Sequence, residues 1–205
     1  MARPNPQYNG FRYWGSMFGE NITPRLLPCQ VATTYGTGIF KGDPVKRVSD
    51  GSVAVAAAGD PIFGVAVGAR YRNADGLYVE RDYLPASIAY TPDAMRSIVM
   101  VIPATPYTIF EVDADDGSSI TTVANARLIV WENCDHILTI AGNTATGLSG
   151  AQLDISTHAT TTSQWRVVDV SPLPSGNDPT QILAKYLVVA NEQHNWPGTF
   201  STTGI

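Results

Sequence analysis

The pair Cys134 and His136 is the first candidate for chemistry in this chain of 205 residues. Side chains two positions apart lie on the same face of a β-strand. A thiolate beside an imidazole is a nucleophile with its base, so this spacing is compatible with covalent catalysis. On a strand, such a pair more often packs inside a core. We therefore expect a structural role for both residues, with catalysis as the alternative.

Metal binding is the second kind of chemistry to consider. The sequence contains three histidines: His136, His158 and His194. None has the close spacing of a helical metal pair, so a zinc site with Cys134 would need distant parts of the chain to converge. An acidic turn consists of Asp113, Asp115, Asp116 and Gly117. Its phasing differs from that of an EF-hand loop, which favours a plain turn over a calcium site. The sequence predicts no metal and no other cofactor.

Motifs of the common enzyme classes are absent from the sequence. The segment 36–42 is rich in glycine and contains Lys41. It lacks the third glycine position and the helix that follow in nucleotide-binding loops. The chain also has no Gly-x-Ser-x-Gly nucleophile motif. We predict that the protein is not an enzyme.

The charge content narrows the possible partners. Charged residues make up 15% of the chain, and the formal net charge is −5. Nucleic-acid-binding proteins usually carry a basic face, so a nucleic-acid partner is not expected. The sequence has no apolar run of about 18 residues, so no membrane span is expected either. The low charge suggests a surface covered by partner subunits, although polar uncharged residues on exposed strands would explain it equally well.

The elements that would position any site are short strands separated by turns. Turn signals such as Lys41–Pro44 and Asp50–Ser52 recur every 8 to 12 residues, which is typical of a sandwich or barrel. We predict an all-β, barrel- or sandwich-like fold with subdomains at 31–112 and 113–192 and a tail at 193–205. The apolar segment from Arg127 to Trp131 is included among the strands.

The first 30 residues differ from the rest because prolines and glycines alternate with aromatic residues. The aromatic side chains are Tyr8, Phe11, Tyr13, Trp14 and Phe18. Proline disfavours helix, which indicates an extended segment, and so many aromatic residues need burial somewhere. We predict that residues 1–30 form an extended arm on a neighbouring subunit, with packing on the chain's own domain as the alternative.

Three stretches resemble the head proteins of tailed bacteriophages. The first contains Gly42-Asp43-Pro44-Val45, then Asp50-Gly51-Ser52-Val53, then Gly59-Asp60-Pro61-Ile62-Phe63-Gly64-Val65. The second is Gly147 to Thr157, and the third is Lys185 to His194. The resemblance spans most of residues 36–195 and concerns texture and spacing. In these respects the chain is similar to the head-decoration, or cement, proteins.

The resemblance implies a structural protein of the virion. It would be made in the host cytoplasm and would bind the outside of an icosahedral capsid, where it bridges major capsid subunits. Such proteins are commonly trimers and sometimes dimers, and they need no cofactor. The arm residues Tyr8, Phe11, Tyr13, Trp14 and Phe18 would be the interface. The alternative is a carbohydrate-binding or receptor-binding β module that stacks sugars on an exposed patch of Trp131, Trp165 and Trp196.

Overall fold

The computed structural model describes residues 8–19, 23–32, 35–86, 97–115, 120, 122–160, 163–172, 177–180 and 183–191. In chain order, these residues form β1 (Arg12–Ser16), β2 (Leu27–Gln30), β3 (Ile39–Phe40), β4 (Pro44–Arg47), β5 (Val53–Val55), β6 (Gly64–Arg72), β7 (Tyr78–Arg81), β8 (Tyr83–Leu84), β9 (Ile98–Pro103), β10 (Thr108–Asp113), α1 (Val123–Leu128), β11 (Asn133–Ile137), β12 (Gln152–Ala159), β13 (Trp165–Val170) and β14 (Lys185–Ala190). The all-β prediction is confirmed, and the arrangement of the sheets is sandwich-like. The predicted tail at 193–205 lies outside the described residues.

Six strands form the sheet that we call the C-terminal sheet. Its order is β1-β10-β14-β13-β11-β12, and all the pairings between neighbours are antiparallel. The strand β1 lies at one edge, so its backbone pairs on one side only, with β10. The N-terminal segment therefore completes a sheet built mainly from the second half of the chain.

The strands β3 and β8 pair with each other in a separate two-stranded sheet. Six other strands of the first half form the N-terminal sheet. Its order is β2-β9-β6-β4-β5, with β7 also paired to β6. A bridge between Val31 and Val53 brings the end that follows β2 against β5, so the sheet curls round its own apolar core. The hairpin predicted at Asp50–Ser52 joins β4 to β5, and Gly51 has φ 82°, a conformation that glycine adopts without the steric cost of a Cβ.

A second core lies between the two sheets. Val65 and Ile102 of the N-terminal sheet share one buried cluster with Phe110, Trp165 and Tyr186 of the C-terminal sheet. Alternate residues of a strand face opposite sides of its sheet, and every residue of β14 is buried. The sheets therefore share a core, and the two halves of the chain are not packed independently.

The predicted subdomain boundary at 112/113 falls inside a strand. Residues 108–112 belong to β10, which pairs with both β1 and β14 in the C-terminal sheet. Tyr186 lies opposite Val112 in this pairing. The change from one sheet to the other occurs between β9 and β10, because Thr105 to Tyr107 turn the chain from the first sheet to the second.

The strand predicted from Arg127 to Trp131 is wrong, because helix α1 occupies part of this segment. Thr122 caps the helix, and its side chain accepts a hydrogen bond from the Asn125 backbone N–H. A short apolar run fits a strand and a short helix alike, and a capping side chain favours the helix. In the described part of the chain, no helix combines the length and the hydrophobicity that crossing a bilayer requires.

Candidate interaction surface on the first strand

The strand β1 places the predicted arm residues on two sides of the C-terminal sheet. Tyr13 lies opposite Phe110 and Gly15 opposite Ile109, so Trp14 is the extra residue of a β-bulge. A bulge bends an edge strand and re-aims the side chain that it carries. Trp14 is 42% exposed, whereas Tyr13 packs against the buried core.

Phe11 packs in the core of its own copy, so in this arrangement the ring is not available as a contact for a capsid subunit. It is only 2% exposed and belongs to the cluster between the sheets. Its ring stacks on Trp165 with a centroid distance of 4.3 Å. Because this ring already fills an internal site, Phe11 has no surface left for a capsid subunit.

The remaining residues of the predicted arm divide in a similar way. Tyr8 is half-buried just before β1. Phe18 follows β1 in a turn and is 68% exposed. Residues 8–16 thus lie on the chain's own sheet and do not extend away from it. Residues 1–7 lie outside the described part of the chain.

Trp14 and Phe18 belong to a group of exposed apolar residues on and beside β1. The group, which we call the β1 surface, consists of Trp14, Met17, Phe18 and Tyr107. Met17 donates a backbone hydrogen bond of 2.9 Å to the Tyr107 carbonyl, and the Phe18 and Tyr107 rings are 4.6 Å apart. Single exposed apolar residues are common, but contiguous patches mark interaction sites.

A groove of about 310 Å³ adjoins the β1 surface. Phe18 and Tyr107 lie on its lining together with Pro24, Arg25 and Pro103. These residues come from the segment before β2 and from the turn between β9 and β10, so the groove lies where the two sheets meet. Arg25 is the one charged residue on its described lining, so the groove is suited to an apolar side chain with an acceptor group nearby.

A larger groove of about 770 Å³ lies over the N-terminal sheet. Its lining combines apolar residues such as Leu26, Val67 and Met100 with the ion pair of Arg70 and Glu80. Both members of this pair are well exposed, and exposed ion pairs are weak because water screens them. Arg81 and Asp82 also lie on its lining, so this groove combines an apolar floor with charged residues at the end that β7 forms.

The pair Cys134 and His136 has a structural role. Both residues are fully buried. His136 Nε2 lies 2.8 Å from the Ala56 carbonyl oxygen, to which it donates, and Nδ1 accepts from Trp165 Nε1 at 3.4 Å. Burial lowers the pKa of His136 and, with nearby carboxylates, raises the pKa of Cys134 to about 12. The thiol is therefore protonated at neutral pH and is a poor nucleophile.

Gln164 extends the contacts of His136 from one sheet to the other. Its side-chain amide donates to the carbonyls of Ala57 and Asp60 at 2.7 and 2.6 Å, and its oxygen accepts from the His136 backbone N–H. A buried polar network whose members are all bonded fixes one arrangement of the elements that it joins. This network holds the turn after β5 against the C-terminal sheet.

Asp43 provides a second polar connection at the sheet junction. Its carboxylate accepts a hydrogen bond of 2.7 Å from the Phe40 backbone N–H and another from the Ser149 hydroxyl. Burial raises the pKa of Asp43 to about 6, although both hydrogen bonds lower it. The carboxyl closes the turn predicted at Lys41–Pro44. Its two hydrogen-bond partners are a backbone N–H and a serine hydroxyl, neither of which titrates near neutral pH.

The two described carboxylates of the acidic turn, Asp113 and Asp115, have partners within the protein. Asp113 forms a buried ion pair with Lys185, and Asp115 accepts a hydrogen bond of 3.1 Å from the Ile155 backbone N–H. Asp116 and Gly117 lie outside the described residues. Within the ranges that the structure describes, no three His, Cys, Asp or Glu side chains are grouped so as to hold a metal.

The two histidines that the structure describes, His136 and His158, lie in different environments. His136 is buried in the core, whereas His158 is exposed and lies 2.6 Å from a carboxylate oxygen of Glu132. His194 lies outside the described residues. The described histidines therefore have separate partners, and neither contact requires a metal.

The tryptophans do not form one sugar-binding patch. Trp165 is fully buried, whereas Trp131 is 62% exposed in the turn after α1. Trp131 has φ 73°, a left-handed conformation that is costly for a residue with a bulky side chain. Trp196 lies outside the described residues. Of the two predicted stacking residues that the structure describes, Trp131 is exposed and Trp165 is not.

The β1 surface was only partly visible in the sequence. Trp14 and Phe18 were predicted, whereas Tyr107 and Met17 were not. The Pro106-Tyr107 turn is recognisable, but its contact with Phe18 depends on the pairing of β1 with β10. Comparison with family models, with curated proteins and with solved structures gives no significant match to this chain.

Proposed function

We propose that this chain is a virion structural protein that binds the outside of an icosahedral phage capsid and joins neighbouring major capsid subunits. The proposal rests on the resemblance of residues 36–195 to tailed-phage head-decoration proteins. It also rests on the β1 surface as a place where a partner can bind. The protein acts by binding and not by catalysis, as an oligomer of itself in which a trimer is favoured over a dimer.

The observation that carries the proposal is the group of exposed aromatic residues around Phe18. Phe18 and Tyr107 are in ring contact and flank a groove, and Trp14 is turned outward by a bulge on the preceding strand. Aromatic side chains that bury fully against a partner are the usual anchors of protein interfaces. Since β1 is fixed by β10 and by the buried ring of Phe11, these anchors have little conformational freedom left to lose on binding.

Two buried groups with catalytic potential, the His136 ring and the Lys185 ammonium, have internal partners, which supports a binding role. His136 bonds to Ala56 and Trp165, and Lys185 pairs with Asp113. A catalytic base must reach a substrate proton, which neither buried group does in this arrangement.

The experiment that tests the proposal compares the binding of two double variants to undecorated phage heads. Trp14→Ala/Phe18→Ala removes two exposed rings from the β1 surface. Leu77→Ala/Tyr78→Ala removes two similarly exposed apolar side chains on and before β7, and it serves as the matched control. An interface anchor contributes about 2 kcal/mol or more, so we expect the loss of two anchors to weaken head binding by on the order of a thousandfold.

Co-sedimentation with heads measures the binding, and the melting temperature of the heads measures cementing. The wild type and the control should sediment with the heads and raise their melting temperature by mass action. If the two variants bind heads equally, whether well or poorly, the β1 surface is not the capsid-binding site. A wild-type protein that ignores heads would overturn the function itself.

The alternative, a carbohydrate-binding or receptor-binding module, has weaker support because Trp165 is buried. Its remaining described feature is the exposed indole of Trp131, on which a sugar ring would stack. Binding of the wild type to a glycan array, lost in Trp131→Ala and kept in Trp14→Ala/Phe18→Ala, would favour this alternative over capsid binding.

A further inference from the structure

The site that receives the segment 8–16 recognises it through three features. The edge of β10 pairs with the backbone of β1, the ring of Trp165 stacks on Phe11, and the carboxylate of Glu111 pairs with Arg12. Glu111 is itself buried, with Ser171 as its other partner. Without β1, the C-terminal sheet would therefore keep an open edge, an unfilled apolar site and a buried carboxylate without its cation.

The same segment is attached to the rest of the fold in a way that permits exchange. It precedes every other described element, and β1 pairs with β10 alone. The connection 17–26 leads to β2, which lies in the other sheet. Moving the segment into another copy would therefore break one strand pairing, the contacts of Phe11 and Arg12 described above, and the hydrogen bond from the Phe11 backbone N–H to the Gly42 carbonyl.

Several apolar side chains in the described part of the connection 17–26 are exposed to solvent in the single copy. Met17, Phe18 and Leu26 are all exposed, and Phe18 is 68% exposed. Burial of Met17 and Leu26 between two copies would favour the exchanged form, since apolar area removed from water is stabilising.

We propose that the segment 8–16 exchanges between copies of this chain, so that β1 of one copy completes the C-terminal sheet of another. The occupant is a second copy because the site is complementary to this sequence in particular. It takes the Phe11 ring, the Arg12 guanidinium and a chain that can approach as closely as Gly10 does to Gly42. Exchange of an identical element is a low-cost way to join protomers, because both forms contain the same contacts. This inference does not require a capsid partner.

The protein concentration should determine whether β1 is internal or exchanged. A short connection holds β1 near its own sheet at an effective concentration on the order of millimolar. Copies in dilute solution should keep β1 internal, whereas copies concentrated to that level, or fixed side by side on a surface, should exchange it. Exchange needs the ring of Phe11 to leave the core, so a form once made should persist after dilution.

A disulfide between cysteines placed at positions 16 and 108 reports whether β1 pairs with the sheet of its own copy or with that of another copy. The two residues are directly opposite each other in β1 and β10, a spacing that a disulfide can bridge. The variant Ser16→Cys/Thr108→Cys is made in a Cys29→Ser background, since Cys29 is the less buried of the two native thiols. A bridge within one chain shows internal β1, and a bridge between chains shows exchange.

The variant is unfolded, refolded at low micromolar and at millimolar concentration, oxidised and separated on a non-reducing gel. We expect almost only internal bridges in the dilute sample and, at millimolar concentration, interchain bridges in on the order of half the chains. The control Ser16→Cys/Ser49→Cys, in the same background, places the second thiol on an exposed turn of the N-terminal sheet. In this control, a higher protein concentration should increase the fraction of interchain disulfides only as much as random collision does.

Internal bridges at both concentrations would overturn the proposal, as would equal linking in the control. The unmodified chain gives a second measurement. After refolding at millimolar concentration and dilution, it should elute from a sizing column with more dimer or ring than the same chain refolded at low micromolar concentration. Identical elution of the two samples counts against exchange even if the double-cysteine variant folds poorly. Because no phage heads are used, these outcomes are separate from failure of capsid binding.

Discussion

The ring of Phe11 stacks on the indole of Trp165, with centroids 4.3 Å apart and planes inclined by 23°. Phe11 comes just before β1, and Trp165 begins β13, so the contact joins the N-terminal segment to a strand from the second half of the chain. Both side chains are buried in the cluster between the sheets. This stack explains how a segment rich in glycine and aromatic residues is held against the C-terminal sheet.

Substitution of Phe11 should destabilise the whole fold. Phe11→Ala removes a fully buried ring and leaves a cavity beside Trp165, which costs about 3–5 kcal/mol. Urea unfolding followed by tryptophan fluorescence measures the loss. The control Trp14→Ala removes an exposed ring from the strand that follows, so it should leave the free energy of unfolding within about 1 kcal/mol of the wild type. Equal losses in the two variants would contradict the assignment of Phe11 to the core.

The close approach of Gly10 to Gly42 should make Gly10 intolerant of a side chain. A Cβ on Gly10 would lie 2.6 Å from the Gly42 carbonyl oxygen, and φ at Gly10 is 61°. Gly19 has a similar φ of 69° but open space around it, so Gly19→Ala should cost only the conformational strain of about 1–2 kcal/mol. We expect Gly10→Ala to cost more than Gly19→Ala in thermal or urea unfolding. A larger loss of stability in Gly19→Ala would show that the backbone around Gly10 and Gly42 accommodates a Cβ without loss of stability.

Protonation of the buried Asp43 carboxyl should stabilise the folded state at acid pH. Burial raises its pKa from 3.8 to about 6, so the folded state binds a proton between these values that the unfolded state does not. The stabilisation is complete below about pH 3.8 and is lost as pH rises through about 6. A shift of about two pKa units corresponds to about 3 kcal/mol.

The variant Asp43→Asn tests this assignment, because its amide can accept from the Phe40 N–H and donate to the Ser149 hydroxyl. The difference between the unfolding free energies of variant and wild type should change by up to about 3 kcal/mol between about pH 4 and pH 7. The variant should gain relative to the wild type as pH rises. A difference that does not vary with pH would show that Asp43 titrates normally.

Trp131 should be replaceable by glycine with a gain in stability. Its φ of 73° is strained for any residue with a Cβ, and its side chain is 62% exposed. Relief of a left-handed conformation contributes about 1 kcal/mol, so Trp131→Gly should raise the free energy of unfolding by up to that amount in a urea titration. Leu128→Gly, in the preceding helix, should lower it. A clear loss of stability in Trp131→Gly would show that the indole makes contacts that outweigh the strain.

Local patterns in the amino-acid sequence were enough to predict the class of fold and many of its turns. Asp50-Gly51 specifies a tight turn because glycine accepts the positive φ that the turn needs, and the hairpin predicted there joins β4 to β5. Alternating or continuous apolar runs bounded by glycine and proline usually predict strands, although the run that contains α1 did not follow this rule. These signals depend on neighbouring residues, so no knowledge of the partner strand was required.

Long-range packing settled which strands pair and which aromatic residues remain exposed. Phe11 and Phe18 are equally apolar in sequence, yet one fills the core and the other lies on the surface. The difference arises because β1 pairs with β10 and places Phe11 beside Trp165, which is far away in the chain. Burial depends on such distant contacts, and a pattern of neighbouring residues carries no information about them.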